Sequence, residues 1–111
     1  MTLIEKIQKS PEAVTFQETI AHIDEHYLFS PTRFTNGDTV NEAGQNNGSC
    51  KIFSFAKIQN LNKEQTLHLF GDFYRIDVLQ DPNGSGHQNI RNFMQTDWKG
   101  IHFDQQALKL K

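Results

Sequence analysis

KEQTLHLFGDFYRIDVLQ, residues 63–80, decides the architecture that the rest of the chain must fit. Leu67, Phe70, Tyr74 and Val78 recur at helical spacing and form one apolar stripe, while Leu69, Phe73 and Ile76 form a second. A helix that is apolar on two sides is covered on two sides, so this segment is expected at the centre of the fold. Asn62 with Gln65 is the reciprocal capping pair that opens it, and Asp81-Pro82-Asn83-Gly84 is the turn that stops it. Gly71 stands in its middle, where glycine costs about 1 kcal/mol relative to alanine. A second stretch of backbone passing close by would explain that choice.

Working outward, Thr2 and Glu5 form a capping pair for a short first helix. Ser10-Pro11-Glu12 reads as another helix start, with Ala13, Phe16, Ile20, Ile23 and Tyr27 on its inward face and Pro31 as its stop. Ile52, Phe53, Phe55, Ala56 and Ile58 suit a buried helix or a strand, and we read them as helix. Ser85 with Gln88 opens a further helix with Ile90, Phe93 and Met94 inward. Trp98 to Phe103 reads as extended, with Asp104 capping a last short turn. The expected fold is mainly α, one bundle-like domain over 1–111. It carries a long Asn/Gly-rich loop and has room for a short strand pair near 32–40 or 99–103.

Composition sets further bounds. A chain of 111 residues forms one domain, and nine Phe, nine Ile and eight Leu supply its core. Each of these large side chains contributes about 1.5–3 kcal/mol when buried. The lone Cys50 excludes an internal disulfide and suits a reducing compartment. Net charge is −2 with acids and bases interspersed, so no basic stripe offers itself to nucleic acid or a membrane surface. No segment approaches the roughly 20 apolar residues of a membrane span, and MTLIEKIQKS lacks the apolar run of a signal peptide. Synthesis in the cytoplasm is therefore expected.

The segment FTNGDTVNEAGQNNGSC, residues 34–50, has almost no apolar side chains but is followed directly by core-forming sequence. A long polar connection held between core segments is where a site is expected. Its Asn and Gly also suit turns, because Asn bonds its own backbone and tolerates left-handed conformations. At 83–91, NGSGHQNIR sets small residues before a helix, whose first-turn amides attract anions. His87 and Arg91, four apart, project along one side of that helix, and the arginine fork suits carboxylate or phosphate. Neither a P-loop nor a dinucleotide fingerprint is present.

Two patterns suggest chemistry. Cys50, if Ser49 caps a helix, lies in a first turn where the dipole lowers a thiol pKa; His87 or His68 would have to supply a base. A small buried side chain beneath the polar loop is the simpler reading. His22-Ile23-Asp24-Glu25-His26 spells the H-x-x-E-H of inverted zinc proteases, but no third ligand accompanies it and surface histidines explain it.

The ordered blocks Asn36-Gly37, NEAGQNNGSCK at 41–51, FGDFYRIDVL at 70–79, HQNIRNFM at 87–94 and Trp98-Lys99-Gly100 resemble the HopJ family over nearly the whole chain. The resemblance implies a bacterial protein and the label of type III effector, translocated by that secretion system. It implies no biochemical activity and carries no catalytic residues. Type III export uses a flexible N-terminal segment, whereas a capped helix is expected here from Thr2, so a housekeeping role inside the bacterial cytoplasm stands beside the exported one. The expected binding surface comprises Asn36, Asn41, Asn46, Cys50, His87, Asn89 and Arg91. Its occupant is a partner protein or a small polar or anionic ligand, with no cofactor and no metal. The alternative is a small cytoplasmic enzyme using Cys50 or His87; catalysis and oligomeric state are left open.

Overall fold

The computed structural model describes residues 1–111. Thr2 caps helix α1 (Leu3–Lys9): its Oγ1 accepts from the Glu5 backbone at 3.1 Å, and the Glu5 carboxylate accepts from the Thr2 amide in return. Leu3 and Ile7 pack this helix onto the core. Pro11–Ala13 forms only a 3-10 turn, and α2 (Phe16–His26) begins five residues later than Ser10-Pro11 suggested. Val14 is extended and breaks the path, and Thr15 supplies the hydroxyl that caps α2 by accepting from the Glu18 amide. The helix ends before Pro31, because Tyr27 turns to extended geometry and starts β1 (Tyr27–Phe29).

The Asn/Gly-rich stretch is not one long loop. It folds as β2 (Phe34–Asn36), a turn at Gly37 with φ of +60°, β3 (Thr39–Asn41), a turn, and the start of α3 (Asn47–Ile58). Beyond it come α4 (Lys63–His68), α5 (Gln88–Thr96), a 3-10 turn at Asp97–Gly100, β4 (Ile101–Phe103) and β5 (Leu108–Leu110). The two stretches expected to hold strands contribute to one antiparallel sheet of order β3-β2-β4, with Thr35 opposite Val40 and His102. A second ribbon pairs β1 with β5, setting Phe29 opposite Leu108. With 53% helix and 14% strand, the domain is mixed α/β rather than a helical bundle. Each strand has three residues, too few to show the alternation that marks a strand.

The central segment keeps its buried role but loses its continuity. The capping pair Asn62/Gln65 opens α4, and at Gly71 the chain swings through φ of +61° before a π-helical segment, Phe73–Val78. Leu67, Phe70, Tyr74 and Val78 are all buried, as is Leu69. Ile76, placed on the second inward stripe by a 3.6-residue period, is 46% exposed because the wider π turn shifts it outward. Residues 52–58 are helical, and Phe53 of α3 sits at the hub. Its ring centroid lies 5.4 Å from Phe70, 5.0 Å from Phe93 and 6.2 Å from Phe34, distances at which aromatic pairs attract beyond simple burial.

Candidate functional site

Helices α3 and α5 start on the same cavity. Each is preceded by a non-glycine residue in the left-handed region, Asn46 (φ 52°, ψ 49°) and His87 (φ 57°, ψ 52°), and neither start is capped by a side chain. Ser49 and Ser85 are therefore not the caps that the sequence suggested. Ser49 already lies inside α3, and Ser85 precedes the residue at which α5 turns. The backbone N–H groups of Asn47, Gly48, Ser49, Gln88 and Asn89 have no acceptor within the protein. Two sets of unpaired first-turn donors, each at the positive end of a helix dipole, thus converge.

The cavity between them holds about 380 Å³. Asn46, Gly48 and Ser49 line it from α3, and His87 to Ile90 from α5, with Thr39 at one side. The far wall is aromatic. Phe16 meets Phe73 edge to face at 4.8 Å, and Phe73 lies 5.1 Å from the His87 ring. Gly48 lets that wall close in, since a Cβ there would lie 3.3 Å from the Phe16 ring. His87 Nε2 is 3.1 Å from the Asp77 carboxylate, which orients the imidazole at the rim.

Behind the cavity, carboxamides lock the two helix starts together. Asn41 and Asn89 exchange hydrogen bonds: Asn89 Nδ2 donates to Asn41 Oδ1 at 2.9 Å, and Asn41 Nδ2 to Asn89 Oδ1 at 3.1 Å. Asn36 Nδ2 donates to the Asn89 carbonyl at 2.8 Å and to its side chain at 3.0 Å. Asn46 Nδ2 donates to Asn41 Oδ1 at 2.7 Å. Asn92, absent from the expected set, extends the network by donating to Asn36 O and Thr39 Oγ1. Asn36 and Asn41 are fully buried, so each of these bonds replaces water that the group has lost.

The expected site residues therefore divide. Asn46, His87 and Asn89 line the cavity, and Asn36 and Asn41 support it from beneath. Cys50 lies in the first turn of α3 but faces the core at 1% exposure, with Sγ 3.7 Å from the Thr32 carbonyl. Burial pushes its pKa up, opposite to what a nucleophilic thiol needs. Arg91 turns away from the cavity: its Nε donates to Gly86 O at 2.6 Å and its Nη1 to Asp81 O at 2.9 Å, fastening the 81–86 connection. His68 faces Arg75, whose Nη1 is 3.1 Å from its Nδ1. The His22 and His26 rings lie tilted 4.4 Å apart, with His22 against Phe55, and nowhere do three or more His, Cys, Asp or Glu side chains group as metal ligands. Phe16, Phe73 and Asp77 were missed because hydrophobic spacing assigns aromatics to the core and a lone carboxylate to the surface.

A family model described as HopJ type III effector protein matches residues 1–108. The crystal structure of the protein of unknown function VPA0580 superposes with a TM-score of 0.96. It is 52% identical, and the match covers 97% of this chain and 90% of that one. No curated protein matches. No helix is long and apolar enough to cross a membrane.

Proposed function

The chain belongs to the HopJ type III effector protein family, and from that premise we propose that it is a small binding module whose cavity between α3 and α5 receives an anionic group. One observation carries this reading: two uncapped helix starts with unpaired amides border a single cavity of about 380 Å³. A phosphate or carboxylate there accepts hydrogen bonds from amides that no protein acceptor takes, and gains from both dipoles. The aromatic wall of Phe16 and Phe73 suits an anion carried on an apolar or planar body. The asparagine network keeps the donors in place before any ligand arrives, which lowers the entropic cost of binding. The family's name describes a secretion route and no chemistry, so synthesis in a bacterial cytoplasm and translocation from it belong to the same proposal.

Isothermal calorimetry and thermal denaturation with phosphate, sulfate and small carboxylates test it, with chloride at equal ionic strength as control. Binding to the folded state raises the melting temperature in a saturable way. Ser49→Asp places a carboxylate on the unpaired amides; it should raise the melting temperature of the protein alone and abolish the anion response. No saturable response in the wild type, or an equal response in the variant, would overturn the reading.

A second reading is favoured by the contact of 3.1 Å between His87 and Asp77: a small enzyme in which His87 moves a proton at the cavity rim. Under that reading His87→Gln leaves anion binding intact while removing turnover.

A further inference from the structure

A separate cavity of about 350 Å³ lies between the C-terminal half of α3 and the chain running from β4 to β5, and it shares no residue with the anion cavity. Its floor is apolar: Ile58 remains 44% exposed, Leu108 is buried, and Phe103 stacks on Phe34 at 5.3 Å. Three polar residues, Ser54, Lys57 and Gln105, line it. Ser54 is 7% exposed, and its buried Oγ has no hydrogen-bond partner. Its polar neighbour within the helix is the Cys50 thiol, a weak acceptor that satisfies a hydroxyl poorly. Lys57, an exposed residue of the lining, forms none of the chain's ion pairs. Gln105 is exposed beside it, while the neighbouring Gln106 is already held by the Leu108 carbonyl at 2.7 Å.

We propose that this second cavity binds a small amphipathic monocarboxylate, with Lys57 and the Ser54 hydroxyl on the carboxylate and the hydrocarbon tail on Ile58, Phe103 and Leu108. The lining decides the class. One ammonium balances a single negative charge, so a multiply charged phosphate would be underpaired. The apolar floor gains from hydrocarbon and gains nothing from a bare anion. The cavity is of ordinary small-ligand size. A buried hydroxyl left without a good partner is costly, and a ligand oxygen relieves that cost.

Titration of the ¹⁵N-labelled full chain with sodium hexanoate tests the assignment, with hexanol, sodium acetate and phosphate as controls. Hexanoate should produce saturable amide shifts at Ser54, Lys57, Ile58, Gln105 and Leu108; carboxylate taken up by the anion cavity shows separately, as shifts at 46–49 and 87–90 that Lys57→Gln leaves unchanged. Hexanol and acetate should each bind at least tenfold more weakly, since each lacks half of the recognised molecule. Lys57→Gln should weaken hexanoate at least tenfold while Lys57→Arg retains it, and both should keep the dispersed spectrum of the folded chain. Phosphate shifts confined to 46–49 and 87–90 would report on the other cavity, so the two proposals fail separately. Scattered or non-saturating hexanoate shifts would overturn the assignment, as would equal binding of hexanol or equal affinity in Lys57→Gln.

Discussion

Gly71 lies so close to Phe16 that a Cβ on the glycine would sit 2.5 Å from the Phe16 nitrogen and 3.2 Å from the Thr15 carbonyl carbon. The start of α2 and the turn that follows α4 are thereby pressed together, and the φ of +61° at Gly71 suits a residue without a side chain. Gly71→Ala adds a left-handed alanine, costing about 1–2 kcal/mol, to a clash with backbone that cannot rotate away. A loss of about 2–4 kcal/mol by urea denaturation is expected. A loss below about 1 kcal/mol would mean that the two segments separate easily.

The reciprocal amide pair makes Asn41 and Asn89 a unit. Replacing either by alanine takes from the other's Nδ2 the carboxamide oxygen it donates to, at a cost of about 1–3 kcal/mol. The double variant should lose less than the sum, with a coupling energy of about 0.5–3 kcal/mol. Additive losses would show that the two side chains act independently.

Arg91 donates to the carbonyls of Gly86 and Asp81, so its removal should loosen the connection that leads into α5. In Arg91→Ala, hydrogen exchange at residues 84–88 should speed up while the core of α3 keeps its protection. The anion response described above should persist, because the guanidinium does not reach that cavity. Loss of the response without faster exchange would place Arg91 in the site.

Cys50 should behave as a core residue. Iodoacetamide near neutral pH should label the native protein far more slowly than a free cysteine peptide, because the thiol is buried and its pKa is raised. Denaturant should restore the peptide rate. Rapid labelling of the native chain would revive a catalytic thiol.

Stability should fall as the solution turns mildly acidic. Burial, and then the charge of Arg75, holds the His68 pKa below its ordinary value; burial, and then His26, does the same for His22. The unfolded chain binds these protons more readily, so the stability due to neutral rings is complete above about pH 6.5 and is lost as the pH drops through the depressed folded values. For His68 the contact explains the direction: a neutral Nδ1 accepts from Arg75, whereas an imidazolium repels it. The urea midpoint should therefore decline between pH 7.5 and 5.5, and His68→Gln should flatten part of that decline. An unchanged slope in the variant would remove His68 from the account. The Glu18 carboxyl titrates in a lower window. Burial works to raise its pKa, but hydrogen bonds from Lys6 and Thr15 outweigh burial and lower it, so its contribution disappears only below about pH 4.5.

What the sequence by itself determined is local. Thr2 with Glu5 and Asn62 with Gln65 announced their helix starts, because a capping pair closes within three residues and needs no tertiary partner. Residues 52–58 read as helix, and Gly71 foretold a neighbouring backbone, because an apolar run and a mid-segment glycine each carry a cost or gain that shows in place. The tertiary structure decided everything that depends on distant partners. Strands of three residues exist only because β1 meets β5 and β2 meets β4 from the far end of the chain. The same Asn36 or Asn41 side chain could have served a turn. It became part of a buried network when Asn89, 53 and 48 residues away, was brought against it. The convergence of two helix starts on one cavity is likewise a product of packing. A hydrogen-bonding group at a loop position keeps several partners of similar energy until the fold removes the water and leaves it one.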